Sequence, residues 1–391
     1  MVFPIYAQAI SAKQAAKRVE YPLDLWLIGV VSLLIGLGLV MVASTSITTA
    51  EREIGTPLHY FVRQSMYVVL GLFLAGIMAF LPLKIWDKNS TLFLFFGIVL
   101  LMLVLIPGIG REVNGSVRWI RIGSFNFQPS EPVKLLLIIY LSGYLVRHGN
   151  EVRTRLRGSV NPLLVLAVIA GFLLLEPDYG AAAVLFATAL GMLFLAGVPF
   201  WRFTAGAVIV FLLSTGFILM EPYRLERLTT FVNPWADPFG SGFQLTQALI
   251  AIGRGEWLGV GLGGSIQKLF YLPEAHTDFL FAVLAEELGL VGAILVIVLF
   301  AFVVLRAFSI ARQAQLRELR FGAYLAYGIG LIIGLQAFIN IGVNMGMLPT
   351  KGLTLPLMSY GGSSMLINCA AIGLLLRVER ESRFSSRRPV V

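Results

Sequence analysis

Cysteine is all but missing from this chain. Cys369 is the only one in 391 residues, so no intramolecular disulfide can form and no paired-cysteine metal or redox site exists. Histidine is nearly as scarce, and the three present lack the His-Glu-x-x-His spacing of a helix-borne zinc site. Charge is short as well. Only 13% of the residues are charged against 58% hydrophobic, and a mean hydropathy of +0.84 excludes a soluble domain of this length. No repeat of fixed period and no low-complexity tract is present, and the long polar segment at 221–277 has no counterpart in the first half. That asymmetry weighs against an inverted-repeat transporter.

What is there is a series of apolar runs near the length of a bilayer crossing, separated by short charged links. The runs predict an all-α integral membrane protein with about ten transmembrane helices. They fall at Leu23 to about Ile47, then 65–83, 91–107, 132–147, 162–176, 180–197, 203–220, 278–305, 321–346 and 356–377. This divides the chain into a cytoplasmic tail, 1–22, a membrane domain, 23–377, and a second cytoplasmic tail, 378–391. A large extracytoplasmic loop, 221–277, separates helices seven and eight.

The formal charge of +9 invites a nucleic-acid partner, but the cations are spread between apolar runs rather than gathered on one face. Most of the 30 Lys and Arg fall on the side of the termini, crowding the links Arg147–Arg157 and Arg306–Arg320 and the tail from Arg377. Membrane orientation explains that bias, and it places both termini in the cytoplasm. The elaborate polar segments, 107–131, 221–277 and 348–356, then all lie on the exported face.

The central stretch is Tyr271-Leu272-Pro273-Glu274-Ala275-His276-Thr277-Asp278-Phe279, where the long loop enters a membrane helix. A carboxylate at such a boundary is costly enough to suggest a purpose. Asp278 is the candidate general base. Its plainer alternative is a helix-terminal carboxylate that satisfies free N–H groups. Glu286 and Glu287 lie deeper, roughly 12 to 13 Å along the helix axis, and are expected to be structural.

Around that stretch, Gly115-Ser116-Val117-Arg118-Trp119-Ile120-Arg121-Ile122 suits either an interfacial anchor or a lipid-phosphate site, with Arg118 the better anion ligand. Gln128-Pro129-Ser130-Glu131-Pro132-Val133-Lys134 reads as a helix start with Ser130 as N-cap and a Glu131–Lys134 pair on one face. In the large loop, Glu221-Pro222-Tyr223-Arg224 supplies a further cation, and Phe243, Gln244 and Gln247 begin a short surface helix. Gly259-Val260-Gly261-Leu262-Gly263-Gly264 lacks the ending of a phosphate-binding loop and serves backbone flexibility, while Ser265-Ile266-Gln267-Lys268 matches a nucleophile motif by coincidence. The segment Leu348-Pro349-Thr350-Lys351-Gly352-Leu353-Thr354-Leu355-Pro356-Leu357-Met358-Ser359-Tyr360-Gly361-Gly362-Ser363-Ser364 brings Lys351, Ser359 and Ser363 to the outer mouth on irregular backbone.

The stretches 271–289 and 344–364 resemble the SEDS family (shape, elongation, division and sporulation), and the resemblance runs over nearly the whole chain. Within it they are more similar to the division branch than to the elongation branch. The resemblance implies a ten-helix inverting peptidoglycan glycosyltransferase that polymerises lipid II at the outer face of the cytoplasmic membrane, at the division septum. It implies as partners lipid II, undecaprenyl-linked glycan, a class B penicillin-binding protein (a transpeptidase of the FtsI type) and other divisome membrane proteins. Asp278 stands at the family's catalytic aspartate, and Arg118, Glu131 and Lys134 match positions associated with its central cavity. Leu280 and Glu176 depart from common family residues, where Ile and Gln are frequent.

Together these readings make Asp278 the base and give substrate binding to Arg118, Gln128, Glu131, Lys134, Arg224, Lys351, Ser359 and Ser363. A pyrophosphate leaving group needs charge stabilisation rather than a protonating acid, so one carboxylate with nearby cations suffices. A divalent cation could share that task, though no ligands for one stand out. Two other readings fit the same architecture: a lipid-linked precursor flippase, and a division scaffold without chemistry.

Overall fold

The computed structural model describes residues 23–113, 116–123, 125–219, 231–349 and 352–385. In chain order they form α1 (Leu25–Ile54), α2 (His59–Phe80), the short α3 (Leu83–Lys88), α4 (Ser90–Val104), β1 (Gly110–Val113), β2 (Ser116–Ile122), β3 (Phe125–Phe127), α5 (Ser130–Arg147), the short α6 (Gly149–Thr154), α7 (Leu156–Leu175), α8 (Tyr179–Leu195), α9 (Phe200–Leu219), α10 (Phe243–Gly255), α11 (Leu280–Leu316), α12 (Arg320–Asn344) and α13 (Gly362–Ser385). Ten of these helices fall on the ten expected spans. Six of them, α1, α2, α7, α11, α12 and α13, are long and apolar enough to cross a bilayer by length and composition alone. The chain is a multi-pass membrane protein.

The helices associate as apolar cylinders do in lipid, by close backbone approach at small residues. α13 lies along α2. A Cβ on Gly373 would stand 2.3 Å from the carbonyl of Ala75, and one on Gly71 would meet the Cys369 sulfur at 2.9 Å. α11 packs on α12, and α5 packs on α4, α8 and α12. α13 continues to Ser385, past the last apolar residue of its run, because its acidic residues are paired: Glu381 with Arg377 at 2.7 Å and Glu379 with Arg383.

Two local features differ from the sequence reading. The segment around Arg118, read as an interfacial anchor or a lipid-phosphate site within an all-α chain, is a strand. β1, β2 and β3 form a small antiparallel sheet in that order, with a bulge between Arg111 and Glu112. Val117, Trp119, Ile120 and Ile122 give β2 its strand preference. Ser130 does not cap α5 either; its hydroxyl bonds the Asp178 carboxylate at 2.9 Å.

The glycine-rich loop has a different task from the one expected. α11 is broken at Gly289, whose φ of 67° and ψ of −167° lie outside any helix. The break frees backbone groups at a depth where each unpaired peptide group costs roughly 2–7 kcal/mol. The loop satisfies four of them. Val260 and Gly261 N–H donate to the carbonyls of Glu286 and Glu287 at 3.0 and 3.1 Å, and Leu290 and Val291 N–H donate to Glu256 and Trp257 at 2.9 and 3.2 Å. Gly259 has to be a glycine here, since a Cβ would fall 2.1 Å from the Glu287 carbonyl. The loop is a plug fitted into a membrane helix rather than a flexible lead-in to Asp278.

The coincidental Ser265–Lys268 motif belongs to the same plug. Glu286, fully buried, accepts from Arg254 at 2.6 Å, from the Ile266 N–H at 3.2 Å and from the Ser265 hydroxyl. Glu287, also fully buried, accepts from Lys268 at 2.9 Å and from Ser44 at 2.7 Å. Both acids are structural, as their depth suggested.

Candidate active site

Asp278 stands two residues before α11, at the end of the bundle that carries the sheet. Were it a helix cap, its carboxylate would accept a first-turn N–H. It does not. Asn344 does that work instead, its Oδ1 taking the N–H of Ala282 at 3.0 Å. Among the described residues the Asp278 carboxylate has no hydrogen-bond donor, whereas its backbone is held firmly. Asn340 and Asn344, one turn apart on α12, both donate to the Asp278 carbonyl, at 2.9 and 3.0 Å.

The same face of α12 orders the facing segment. Asn340 also donates to the carbonyl of Leu353, and Gln336 donates to that of Thr354 at 3.0 Å. Gly352 therefore sits directly over the acid. A Cβ there would lie 3.3 Å from Asp278 Oδ2 and 4.0 Å from Arg118 Nη1, so only a side chain of minimal size leaves the acid and the guanidinium open to each other. Glycine is required here by space rather than by backbone angle.

Arg118 reaches this point from β2. Its Nε donates to the Glu176 carbonyl at 3.1 Å and its Nη2 to the Pro177 carbonyl, in the turn between α7 and α8. Among the described residues no carboxylate lies within ion-pair distance of it. The guanidinium is thus fixed in position but not neutralised, which suits it to an anionic ligand.

Charge and burial tune the acid. By surface area the Asp278 side chain is half-buried, but its carboxyl group is hemmed in by protein, and that surrounding sets the desolvation. Desolvation pushes its pKa up to about 7, with Glu274 and Asp178 acting the same way and Arg118 opposing. A carboxyl in this range exchanges protons near neutral pH. His276, two residues earlier, is pushed down by burial. Its ring packs against Tyr60 at 4.8 Å and Tyr360 at 5.5 Å.

The remaining expected site residues form the frame. Lys134 and Glu131 pair at 2.9 Å, both buried, and Lys134 also donates to Gln336 at 2.7 Å. Lys134 is therefore committed to protein acceptors and supports the α12 face. Gln128 bonds Ser130 and Asp178, and its N–H donates to Ser363 at 2.9 Å, joining the start of α5 to α13. Ser359 accepts the Leu355 N–H within its own turn. Arg224 and Lys351 lie outside the described residues.

Asn340, Asn344, Gln336, Asp178 and Gln64 were missed. Four-residue spacing of Gln336, Asn340 and Asn344 in an otherwise apolar run was a readable signal. Gln64 left none, being a lone amide in α2. It binds the Ser359 carbonyl and the Gly361 N–H, at 3.0 and 3.3 Å. Among the described residues, no group of three His, Cys, Asp or Glu is placed to hold a metal ion.

Fold and site together define a polytopic membrane protein in which, among the described residues, an acid without a donor and a guanidinium without a carboxylate partner face each other at one end of a helical bundle. The cell cycle protein family that includes FtsW, RodA and SpoVE matches residues 24–384, and the chain belongs to this family, the SEDS family. It is 56% identical over 383 residues to a probable peptidoglycan glycosyltransferase FtsW of Thioalkalivibrio sulfidiphilus, covering 97% of this chain and 94% of that one. A protein of the same name from Coxiella burnetii is 52% identical, over 94% of this chain and 99% of its own. Among solved structures, a chain of a peptidoglycan synthase complex that coordinates polymerization and crosslinking superposes with a TM-score of 0.76 at 31% identity, covering 92% of this chain and 98% of that chain. The rod shape determining protein RodA of Thermus thermophilus gives 0.67 at 28% identity, covering 92% and 97%.

Proposed function

We propose that this protein is a peptidoglycan glycosyltransferase that polymerises lipid II during septal wall synthesis. The FtsW relatives carry that activity in their names, and the synthase complex supports a crosslinking partner, here a class B penicillin-binding protein. The sheet-bearing end faces outward from the cytoplasmic membrane, and both termini are cytoplasmic, in keeping with the distribution of Lys and Arg.

In the reaction the acceptor's GlcNAc 4-hydroxyl attacks MurNAc C1 of the donor. The C1–O bond to undecaprenyl pyrophosphate breaks, its electrons leave with the pyrophosphate, and C1 inverts. The hydroxyl proton goes to Asp278. Arg118 offsets the charge gathering on the leaving diphosphate. Asn340 and Asn344 hold the acid's backbone so that its carboxylate need not reorganise during transfer. The observation that carries this reading is the contrast at one spot: among the described residues the Asp278 carboxylate meets no donor and the moored Arg118 guanidinium meets no carboxylate, while the polar groups framing them are bonded to one another.

The test uses purified protein with its penicillin-binding partner and lipid II. Asp278→Asn lowers polymer formation by about 100-fold or more on this reading, and polymerisation at the wild-type rate overturns it. Lipid-linked precursor crossing liposomes without any polymer would establish a flippase instead.

A further inference from the structure

Among the described residues, Glu176 is the fully buried acid at this end of the bundle that the reaction does not use. Both of its carboxyl oxygens are buried without a hydrogen-bond partner among the described residues, although its backbone carbonyl tethers Arg118. Two charged groups face it: Asp178, from the cap of α8, and Arg118, from β2. Asp178 is already saturated by Ser130, Gln128 and the Ala181 N–H, so it has nothing to offer a second acid except repulsion. Among the described residues, a carboxylate here would have no donor except the Arg118 guanidinium, the same group that faces Asp278.

We propose that Glu176 is a positioning residue held as the neutral carboxylic acid, which leaves the whole Arg118 charge for Asp278 and an arriving diphosphate. Its ionisation would pull the guanidinium charge toward the Glu176 carboxylate and away from Asp278, and lower activity on the alkaline side. This rests on the assignment of Asp278 and Arg118 to catalysis. Burial and the Asp178 charge push the Glu176 carboxyl up to about 8, while Arg118 pulls it down. The acid is therefore neutral through the range in which Asp278, near 7, becomes a working base.

Glu176→Gln keeps the size and the neutral charge of the acid. Polymerisation by wild type with its penicillin-binding partner should follow a bell with limbs near 7 and 8. The variant should keep near-wild-type activity at neutral pH, keep the acid limb and lose the alkaline one. An unchanged alkaline limb overturns the proposal, as does a tenfold or greater loss by the folded variant at neutral pH. A second readout does not need catalysis. In an Asp278→Asn background the infrared band of a protonated carboxyl should titrate away on the alkaline side, and it should be absent after Glu176→Gln is added. If no such band exists at neutral pH, Glu176 is ionised and the inference fails, whatever Asp278 does. Polymerisation by Asp278→Asn itself at the wild-type rate would fault the assignment of the base while leaving the infrared result to judge Glu176.

Discussion

Helix α11 carries acids at two levels, and they are treated in opposite ways. At its mouth Asp278 has a backbone clamped by two asparagines and a carboxylate that no donor among the described residues touches. Two turns in, Glu286 and Glu287 are buried completely and saturated by Arg254, Ser265, Ile266, Lys268 and Ser44. The lower pair closes a break in the helix, and its charge is spent on architecture. The upper acid is held in place without being neutralised. On the proposed assignment, what separates reactive from structural is whether the carboxylate is committed, rather than how deeply it lies.

The sharpest way to break this comparison is to neutralise each level in turn. Asp278→Asn should lower polymerisation by about 10²–10⁴-fold, the range of a lost general base. Its melting temperature should not fall. Folding raises the Asp278 pKa, so the ionised acid costs stability above its unfolded value, and an amide removes that cost. Glu287→Gln should do the reverse. It strands Lys268 in a buried site, an effect worth about 3–5 kcal/mol. The expected result is a clear drop in melting temperature, with activity falling only as folded protein is lost.

Arg118→Lys comes next, with about a 100-fold loss in polymerisation. An ammonium cannot span two carbonyls and still present a planar face to an anion. Gly352→Ala should cost less, about tenfold, by placing a methyl group between Asp278 and Arg118. The smallest effect belongs to Ser44→Ala, about 1.5 kcal/mol or less by thermal unfolding, because Lys268 still holds Glu287. A pH series sharpens the picture for the upper acid. Activity should rise as pH passes through about 7, where Asp278 loses its proton.

Much of this was legible beforehand, but unevenly. The ten spans could be read from hydropathy, and Asp278 from its place where polar chain meets apolar helix. Arg118 could be named but not its strand, because Val, Ile and Trp at a membrane boundary suit an interfacial anchor as well as a sheet. Lys134 could be paired with Glu131 from its spacing, but its second partner could not be read. That partner is Gln336, 202 positions away, and nothing local announces it. The glycine run read as slack because its partners, the freed backbone groups of α11, exist only once that helix breaks.

The sequence by itself determined the class of protein, the number of crossings and the acid at the mouth of α11. Those follow from how each short segment partitions between water and hydrocarbon, a property that each segment carries alone. Only the tertiary structure decided which charges are spent and which are free. Asn344 relieves Asp278 of capping from 66 residues away, and Arg118 is moored 58 residues away at Glu176. A side chain's protonation and availability depend on the neighbours that folding brings to it, and those neighbours are not adjacent in the chain.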